Sequence, residues 1–268
     1  MNYMNHFSDM YGGGAKWQDV LLAQPLVEDN AVQKFLRSKG YTYVHFDSGY
    51  SRTENNRNAD ILLRAEIVPV DFLDALISTT ALKPFSFRFK GVSTNKRTRI
   101  LFEFEKLREI PGMDIKHPLY AFMHVVAPHG PYALNSDCGP ARENAPEEQL
   151  YMDQILCLNA LLKETIDVIL EESKNPPIIV IHSDHGPPPD LLGDKQEEMI
   201  RGRMSTLGAY YLPNGGEKMF YQSISLINMF RVIFNHYFNA SYEILPDKNY
   251  YSESATPFLL TEVTDLVQ

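Results

Sequence analysis

The sequence predicts an α/β fold, a three-layer α/β/α sandwich in which helices cover both faces of a mainly parallel sheet. Apolar segments of strand length alternate along the chain with segments whose apolar residues recur at helical spacing. The predicted strand Ile178–Ile181 is wholly apolar and the predicted strand Leu119–Val126 nearly so, as strands buried on both faces are. The chain has 268 residues and is 44% hydrophobic, which is enough to bury a full core. Ligands bind such sheets beyond the carboxyl ends of the strands, so we expect a functional site there.

The regular alternation begins near residue 30. We expect residues 1–29 to be an irregular N-terminal segment and residues 30–268 to be a single α/β domain. Asn30 is the expected N-cap of the first helix, and Gly40 is the residue at which that helix stops. The other predicted elements are a strand at Tyr41–Phe46, helices at Asp71–Ser78 and Thr98–Ile110, a strand at Leu119–Val126, a helix at Glu147–Glu172, a strand at Ile178–Ile181, a helix at Asp194–Arg203, a strand at Leu207–Leu212 and a helix at Ser223–Tyr237.

Composition and charge argue against several classes of protein. Lys and Arg number 25 against 34 Asp and Glu, and the resulting net charge of −9 argues against general nucleic-acid binding. No apolar run approaches the ~20 residues that a membrane span needs, and the first residues do not resemble a signal peptide. Cys138 and Cys157 lack metal-ligand spacing, so the sequence predicts neither a disulfide framework nor a cysteine-rich zinc site.

A carboxylate and an imidazole occur together where the predicted strand Ile178–Ile181 ends. Asp184 and His185 follow this strand, and their oxygen and nitrogen atoms are both ligands that suit Zn²⁺ or Mn²⁺. Gly186 would let the backbone turn sharply, so that both side chains face one ion. The alternative is an ordinary polar turn in which backbone groups satisfy both side chains.

Two further histidines belong to the predicted strand Leu119–Val126 and the loop after it. His124 lies inside that strand, where a histidine is more often a hydrogen-bonded core residue than a ligand. His129 lies beyond it, between Pro128 and Gly130, in a position that favours a metal ligand or a donor to an anionic oxygen. We expect the loops of His129 and of Asp184–His185 to converge if their strands are neighbours.

These residues resemble a known family. Asp184-His185-Gly186 after an apolar strand, with His129-Gly130-Pro131 upstream, is similar to the sulfatase-like branch of the alkaline-phosphatase superfamily. The nearest resemblance is to the catalytic domain of lipoteichoic-acid-synthase-like and phosphoethanolamine-transferase-like membrane enzymes of bacteria. The stretch Ser225–Arg231, with Leu245-Pro246-Asp247 and Tyr250, resembles a sulfatase-like bacterial branch. The resemblance covers about residues 30–252.

The resemblance implies an alkaline-phosphatase-like fold and a metal-dependent hydrolase or transferase acting on sulfate or phosphate esters. Asp184 and His185 would bind the metal, and His129 would bind metal or a phosphate or sulfate oxygen. The cofactor would be a divalent ion, Zn²⁺ or Mn²⁺ first, with Ca²⁺ and Mg²⁺ as alternatives. It would serve as a Lewis acid toward the anionic ester substrate. The family also implies a membrane-anchored parent whose catalytic domain lies outside the cytoplasm, in the periplasm or at the cell surface.

One part of the family pattern is not matched. The family's nucleophile, a Thr, Ser or formylglycine, lies in an N-terminal third that this sequence does not match, so we expect a C-terminal portion of the domain. No later histidine matches the second-metal ligand, since His236 lies in a predicted amphipathic helix and is interpreted as structural. The alternative function is therefore a non-catalytic fragment or pseudoenzyme that keeps the metal-ligand loops without the nucleophile.

Two residues are candidates for the missing roles. Ser48 follows the predicted strand Tyr41–Phe46 in Asp47-Ser48-Gly49, so it is a candidate substitute nucleophile, against its ordinary interpretation as a polar turn residue. No catalytic residue is otherwise identified. Arg203 is a candidate to pair with an anionic substrate, and the alternative is a solvated arginine at a helix end.

Overall fold

The computed structural model of the chain describes residues 24–66, 91–116, 118–253 and 255–267. They form two compact units, the first spanning Leu26–Lys174 and the second containing the described residues from 175 onward. Each unit contains helices and strands, so the chain is a mixed α/β protein. The prediction of a single domain starting at residue 30 stays a prediction.

Every helix and strand predicted within the described residues is present, but the chain does not alternate strictly, since the strands Thr42–Phe46 and Ile61–Leu63 follow each other without a helix between them. The helices are α1 (Gln24–Glu28), α2 (Ala31–Ser38), α3 (Gly91–Glu109), α4 (Glu147–Glu172), α5 (Gln196–Met204), α6 (Leu226–Phe238) and α7 (Thr264–Val267). The strands are β1 (Thr42–Phe46), β2 (Ile61–Leu63), β3 (Leu119–Phe122), β4 (Ile179–His182), β5 (Gly208–Tyr211), β6 (Tyr250–Tyr251) and β7 (Thr261–Glu262).

A three-stranded parallel sheet forms the centre of the first unit, with β1 between β2 and β3. Strand β1 consists of β-branched and aromatic residues and His45, and its successive side chains point to opposite faces of the sheet. Both faces are buried, since Val44 and Phe46 are 0% exposed on one face and Tyr43 and His45 are 2% exposed on the other. The predicted parallel sheet is confirmed for these three strands.

The core of the first unit lies where α3 packs on α4. The buried cluster there consists of Ile100 and Phe104 of α3, Cys157, Leu158 and Leu161 of α4, and Leu134 of the loop after β3. The chain that follows β3 joins this cluster through Met123, Val125 and Ala127. The predicted strand Leu119–Val126 is therefore only half strand, since β3 ends at Phe122 and the residues beyond it are apolar because they pack in the core.

Cys138 and Cys157 form a disulfide, with their Cα atoms 5.1 Å apart. The sequence predicted no disulfide framework, and this single bond was not foreseen. The loop after β3 turns back along α4, where Gln154 accepts hydrogen bonds from the backbone N–H groups of Ala133 and Leu134, and this brings Cys138 beside the helix. Sequence spacing does not report such a return of the chain.

The second unit contains two antiparallel strand pairs, β4 with β5 and β6 with β7. Helix α5 lies between β4 and β5 in the chain, and α6 follows β5. Helix α6 begins after Ser225 and buries Met229, Val232 and Ile233. The pairing of β4 with β5 shows that the parallel arrangement of the first unit does not extend to this pair.

Several predicted elements lie partly or wholly outside the described residues. The predicted helix Asp71–Ser78 lies wholly outside them, and so do residues 1–23 of the predicted irregular segment. Within the rest of that segment, Gln24–Glu28 is helical rather than irregular. In the part of the chain that the structure describes, no helix combines the length and apolar character that a membrane span needs.

Candidate functional site

The predicted site residues fall in both units. Asp184, His185 and Arg203 belong to the second unit, whereas Ser48 and His129 belong to the first. The predicted convergence of His129 with Asp184 and His185 therefore stays a prediction, and each group is described in its own surroundings.

Asp184 and His185 lie just beyond the end of β4, where the sequence placed them. Asp184 Oδ2 and His185 Nε2 are 3.6 Å apart, and the two side chains are 82% and 38% exposed. Two ligands of one tetrahedral zinc, each at about 2.1 Å from the ion, stand about 3.4 Å apart. The separation of these two atoms therefore fits ligation of a single divalent ion.

The ring of His185 has a defined set of neighbours. Its Nδ1 is 2.7 Å from the carbonyl oxygen of Gly186, which can only accept, so this contact needs a proton on Nδ1 and leaves the lone pair on Nε2. Metal-binding histidines are commonly held in this way. Arg203 Nη1 is 2.9 Å from the same Nδ1 and can donate to it only in the other tautomer. Metal ligation through Nε2 thus requires the tautomer that bonds Gly186.

Arg203 contacts the loop that carries His185. Besides Nδ1 of His185, its Nη1 lies 3.4 Å from the carbonyl oxygen of Gly186 and 3.2 Å from that of Pro187. The pairing of Arg203 with an anionic substrate stays a prediction, and Arg203 itself lies against the His185 loop. This contact joins residues 18 positions apart, which sequence spacing alone did not reveal.

Gly186 is required for a different reason from the expected sharp turn. Its φ is not positive, but its backbone lies against the last turn of α5, where an added Cβ would overlap the carbonyl oxygen of Gly202. Its N–H donates to the carbonyl of Arg203 at 2.8 Å. The loop is therefore held against the C-terminal end of α5, whose partial negative charge favours a nearby cation.

The His129 loop in the first unit has a similar construction. His129 is exposed, and its Nδ1 is 2.5 Å from the carbonyl oxygen of Gly130. Lys96 of α3 donates to the carbonyls of His129, at 2.5 Å, and Pro131, at 3.2 Å. Burial lowers the pKa of Lys96 to about 8. The sequence singled out His129, but Lys96 was missed.

Ser48 lies in a buried, hydrogen-bonded turn after β1. Residue Ser48 is 3% exposed, and its Oγ accepts from the N–H of Tyr50 at 3.1 Å. The same Oγ is 2.8 Å from Thr53 Oγ1, which in turn is 2.6 Å from His124 Nδ1. His124, predicted inside a strand, lies beyond the end of β3. Burial of Ser48 favours its ordinary role as a turn residue.

His45 supports this network from the central strand. Its Nε2 donates to the carbonyl of Thr53 at 2.8 Å, and its Nδ1 accepts from the hydroxyl of Tyr43 at 2.8 Å. Burial lowers the pKa of His45, and the hydrogen bond to Thr53 and the charge of Asp47 oppose this shift. The backbone and hydroxyl of Thr53 are thus both fixed at the carboxyl end of the parallel sheet.

Glu103 is a buried carboxyl that sequence reasoning missed. It is 1% exposed, and neither carboxyl oxygen has a hydrogen-bond partner among the described residues. Burial raises the pKa of Glu103 to about 9; the charge of Asp47 acts in the same direction and that of Arg99 opposes it. A single acid within the apolar run Ile100–Phe104 was the signal in the sequence.

Asp47, the residue after β1, is already paired. Its Oδ1 accepts from the N–H of Gly49 at 2.8 Å and its Oδ2 from Arg64 Nε at 2.6 Å. Gly49 has a φ of +63°, and a Cβ there would overlap the guanidinium of Arg99. The carboxyl end of β1 is therefore a tightly constrained polar turn.

In the described residues, no three or more His, Cys, Asp or Glu side chains are grouped so as to hold a metal ion together. An ion bound by Asp184 and His185 would therefore need further ligands besides these two side chains. No protein-family model, curated protein or solved structure matches the chain. The functional argument therefore rests on the residues themselves.

Proposed function

We propose that the chain is a metal-dependent hydrolase or transferase of sulfate or phosphate esters, with an alkaline-phosphatase-like three-layer α/β/α architecture. The observation that carries the proposal is the separation of Asp184 Oδ2 from His185 Nε2, 3.6 Å at the end of β4, which suits one divalent ion. The placement of the loop at the C-terminal end of α5 adds an electrostatic preference for a cation.

Zn²⁺ or Mn²⁺ suits this donor set best, because a carboxylate oxygen and an imidazole nitrogen bind both ions well. Bound between Asp184 and His185, the ion would supply Lewis-acid polarisation of an ester oxygen. Ca²⁺ and Mg²⁺ are weaker alternatives, since both ions favour sites made of oxygen ligands.

The chain's own residues prepare this position. The Gly186 carbonyl orients the imidazole of His185, and Arg203 holds the loop carbonyls while placing positive charge beside the ring. That charge would also favour an anionic ester near the pair. His129 is proposed as a further ligand of metal or of an ester oxygen.

Metal analysis of the purified chain tests the proposal. After loading with Zn²⁺ or Mn²⁺ and desalting, we expect about one equivalent of tightly bound metal in the wild type and in Asp194→Ala, an exposed acid in the same unit. Asp184→Ala and His185→Ala are expected to lose it. Equally low metal in all four proteins would show that the pair is only a polar turn.

Turnover distinguishes the enzyme from its non-catalytic alternative, which the burial of Ser48 supports. We expect Asp184-dependent hydrolysis of p-nitrophenyl sulfate or of bis(p-nitrophenyl) phosphate, and the preferred compound identifies the ester class. Metal bound without turnover of either compound would favour the non-catalytic alternative.

A location outside the cytoplasm, in a membrane-anchored parent protein, is part of the same proposal. Disulfides such as Cys138–Cys157 persist in oxidising compartments, and this supports that location.

A further inference from the structure

We propose that Lys96 is a positioning residue that fixes the orientation of the His129 imidazole. Its importance for catalysis rests on the proposed function, but the geometry that it controls is independent of any bound metal.

The first support is the pair of bonds that Lys96 makes. Its ammonium donates to the carbonyl oxygen of His129 at 2.5 Å and to that of Pro131 at 3.2 Å. An ammonium carries three N–H donors, so it satisfies both carbonyls at once. Helix α3, which carries Lys96, is fixed in the core through Ile100 and Phe104.

The second support is the position of the carbonyl that holds the ring. His129 Nδ1 faces the carbonyl oxygen of Gly130, and this carbonyl lies in the chain between the two that Lys96 binds. Fixing the peptides on both sides fixes the direction of the Gly130 carbonyl. The direction of that carbonyl then sets the ring orientation and keeps the proton on Nδ1.

The remainder of the loop has its own attachments. Arg97 donates to the carbonyl of Cys138 at 3.0 Å, and the disulfide ties Cys138 to α4. Gln154 accepts the N–H of Ala133 at 2.9 Å. Removing Lys96 should therefore release the His129 end of the loop and leave the rest in place.

The second His-Gly-Pro sequence of the chain supports the same interpretation. There, His185 Nδ1 faces the carbonyl of Gly186, while Arg203 contacts the carbonyls of Gly186 and Pro187. Each imidazole thus has a glycine carbonyl at Nδ1 and a cationic side chain on the carbonyls of its loop; Arg203 differs from Lys96 in also lying 2.9 Å from the ring nitrogen Nδ1 of His185.

A chemical consequence follows for His129. A neutral ring whose Nδ1–H is donated to Gly130 presents a lone pair at Nε2. Such an atom binds a divalent cation or accepts a proton. Lys96 therefore selects the tautomer suited to cation binding over the one that donates from Nε2.

The test is nitrogen NMR of the histidine rings in the full, metal-free chain labelled with ¹⁵N-histidine, with the His129 signal assigned by His129→Gln. For the neutral ring of the wild type and of Lys96→Arg, we expect an unprotonated Nε2. In Lys96→Met the Nε2 signal should move toward the protonated position. Lys106→Met is the matched control, because Lys106 lies on the same helix and pairs with Glu109.

Thermal unfolding establishes which variants are folded, and Lys96→Gln replaces Lys96→Met should the latter fail to fold. An unchanged His129 signal in a folded Lys96→Met or Lys96→Gln protein overturns the proposal. Metal content at Asp184 and His185 is measured separately. Loss of the proposed function and loss of the Lys96 role are therefore distinguishable results.

Discussion

Two identical tripeptides place different demands on their central residue. His185-Gly186-Pro187 brings Gly186 against the backbone of α5, where an added Cβ would overlap a carbonyl oxygen. In His129-Gly130-Pro131, a Cβ on Gly130 would meet only the Tyr132 ring, at 4.0 Å. Neither glycine has a positive φ. Position 186 therefore needs a glycine because a side chain would not fit there, whereas a Cβ fits at position 130.

We expect Gly186→Ala to lower the free energy of unfolding by about 1–3 kcal/mol, as overpacking against a fixed neighbour does. The alanine must push the loop away from Gly202, so bound metal should fall as well. Gly130→Ala should change stability by less than about 0.5 kcal/mol. Urea unfolding of both variants checks this, and equal losses of stability would contradict it.

The candidate site was predictable where chemistry is local in sequence. Asp184 and His185 are adjacent, and their position after β4 follows from the apolar strand before them. The contact of Thr53 with His124 was not predictable, because the two residues are 71 positions apart and meet only through the pairing of β1 with β3. Lys96 was missed for the same reason, since it reaches across 33 positions to His129.

At the scale of elements, helix α3 supplies basic side chains to the loop after β3 and to the turn after β1. Lys96 and Arg97 donate to the carbonyls of His129 and Cys138 in the loop after β3, and the guanidinium of Arg99 lies beside Gly49 in the turn after β1. Its apolar residues Ile100 and Phe104 face α4, so the helix is fixed while its polar side chains reach outward. The sequence predicted this helix from its apolar residues but placed its start at Thr98, seven residues late.

The disulfide is the strongest link between the loop after β3 and α4. We expect reduction, or Cys138→Ala with Cys157→Ala, to lower the free energy of unfolding by about 3 kcal/mol, since the bond closes a loop of about 20 residues. Denaturant unfolding with and without reductant measures this. The double variant is the control for reductant, because its own stability should not respond. Identical curves for the reduced and oxidised wild type would refute the expectation.

At the scale of the whole molecule, the longer helices and strands were predictable, but the short strands β2, β6 and β7 and the pairing of the strands were not. Apolar periodicity identified α4 with its observed bounds, and β1 and β5 to within one residue at each end. The antiparallel pairing of β4 with β5 could not be predicted from β4, because its residues 179–181 are wholly apolar and such a segment suits a parallel or an antiparallel strand.

One buried acid is expected to shape the pH dependence of stability. The pKa of Glu103 is about 9 in the folded chain and near 4.3 when unfolded. Below both values the carboxyl is protonated in both states, whereas between them only the unfolded state releases the proton. We therefore expect the free energy of unfolding to fall by a few kcal/mol as pH rises from about 5 to about 9.

Glu103→Gln should remove most of that fall, because the amide does not ionise. Glu105→Gln, two residues along the same helix and exposed, is the matched control and should behave like the wild type. Urea unfolding at pH 5, 7 and 9 gives the free energy of unfolding against pH for the wild type and for both variants. A Glu103→Gln curve parallel to that of the wild type would show that other groups set the pH dependence.

The bond between Cys138 and Cys157 also makes a covalent ring of the chain between them. Much of the stretch from Arg142 to Gln149 lies exposed within this ring, where a protease has access. A single cut there would not separate the two parts. The nicked protein would migrate as one molecule on a non-reducing gel and as two fragments once the sulfurs are reduced.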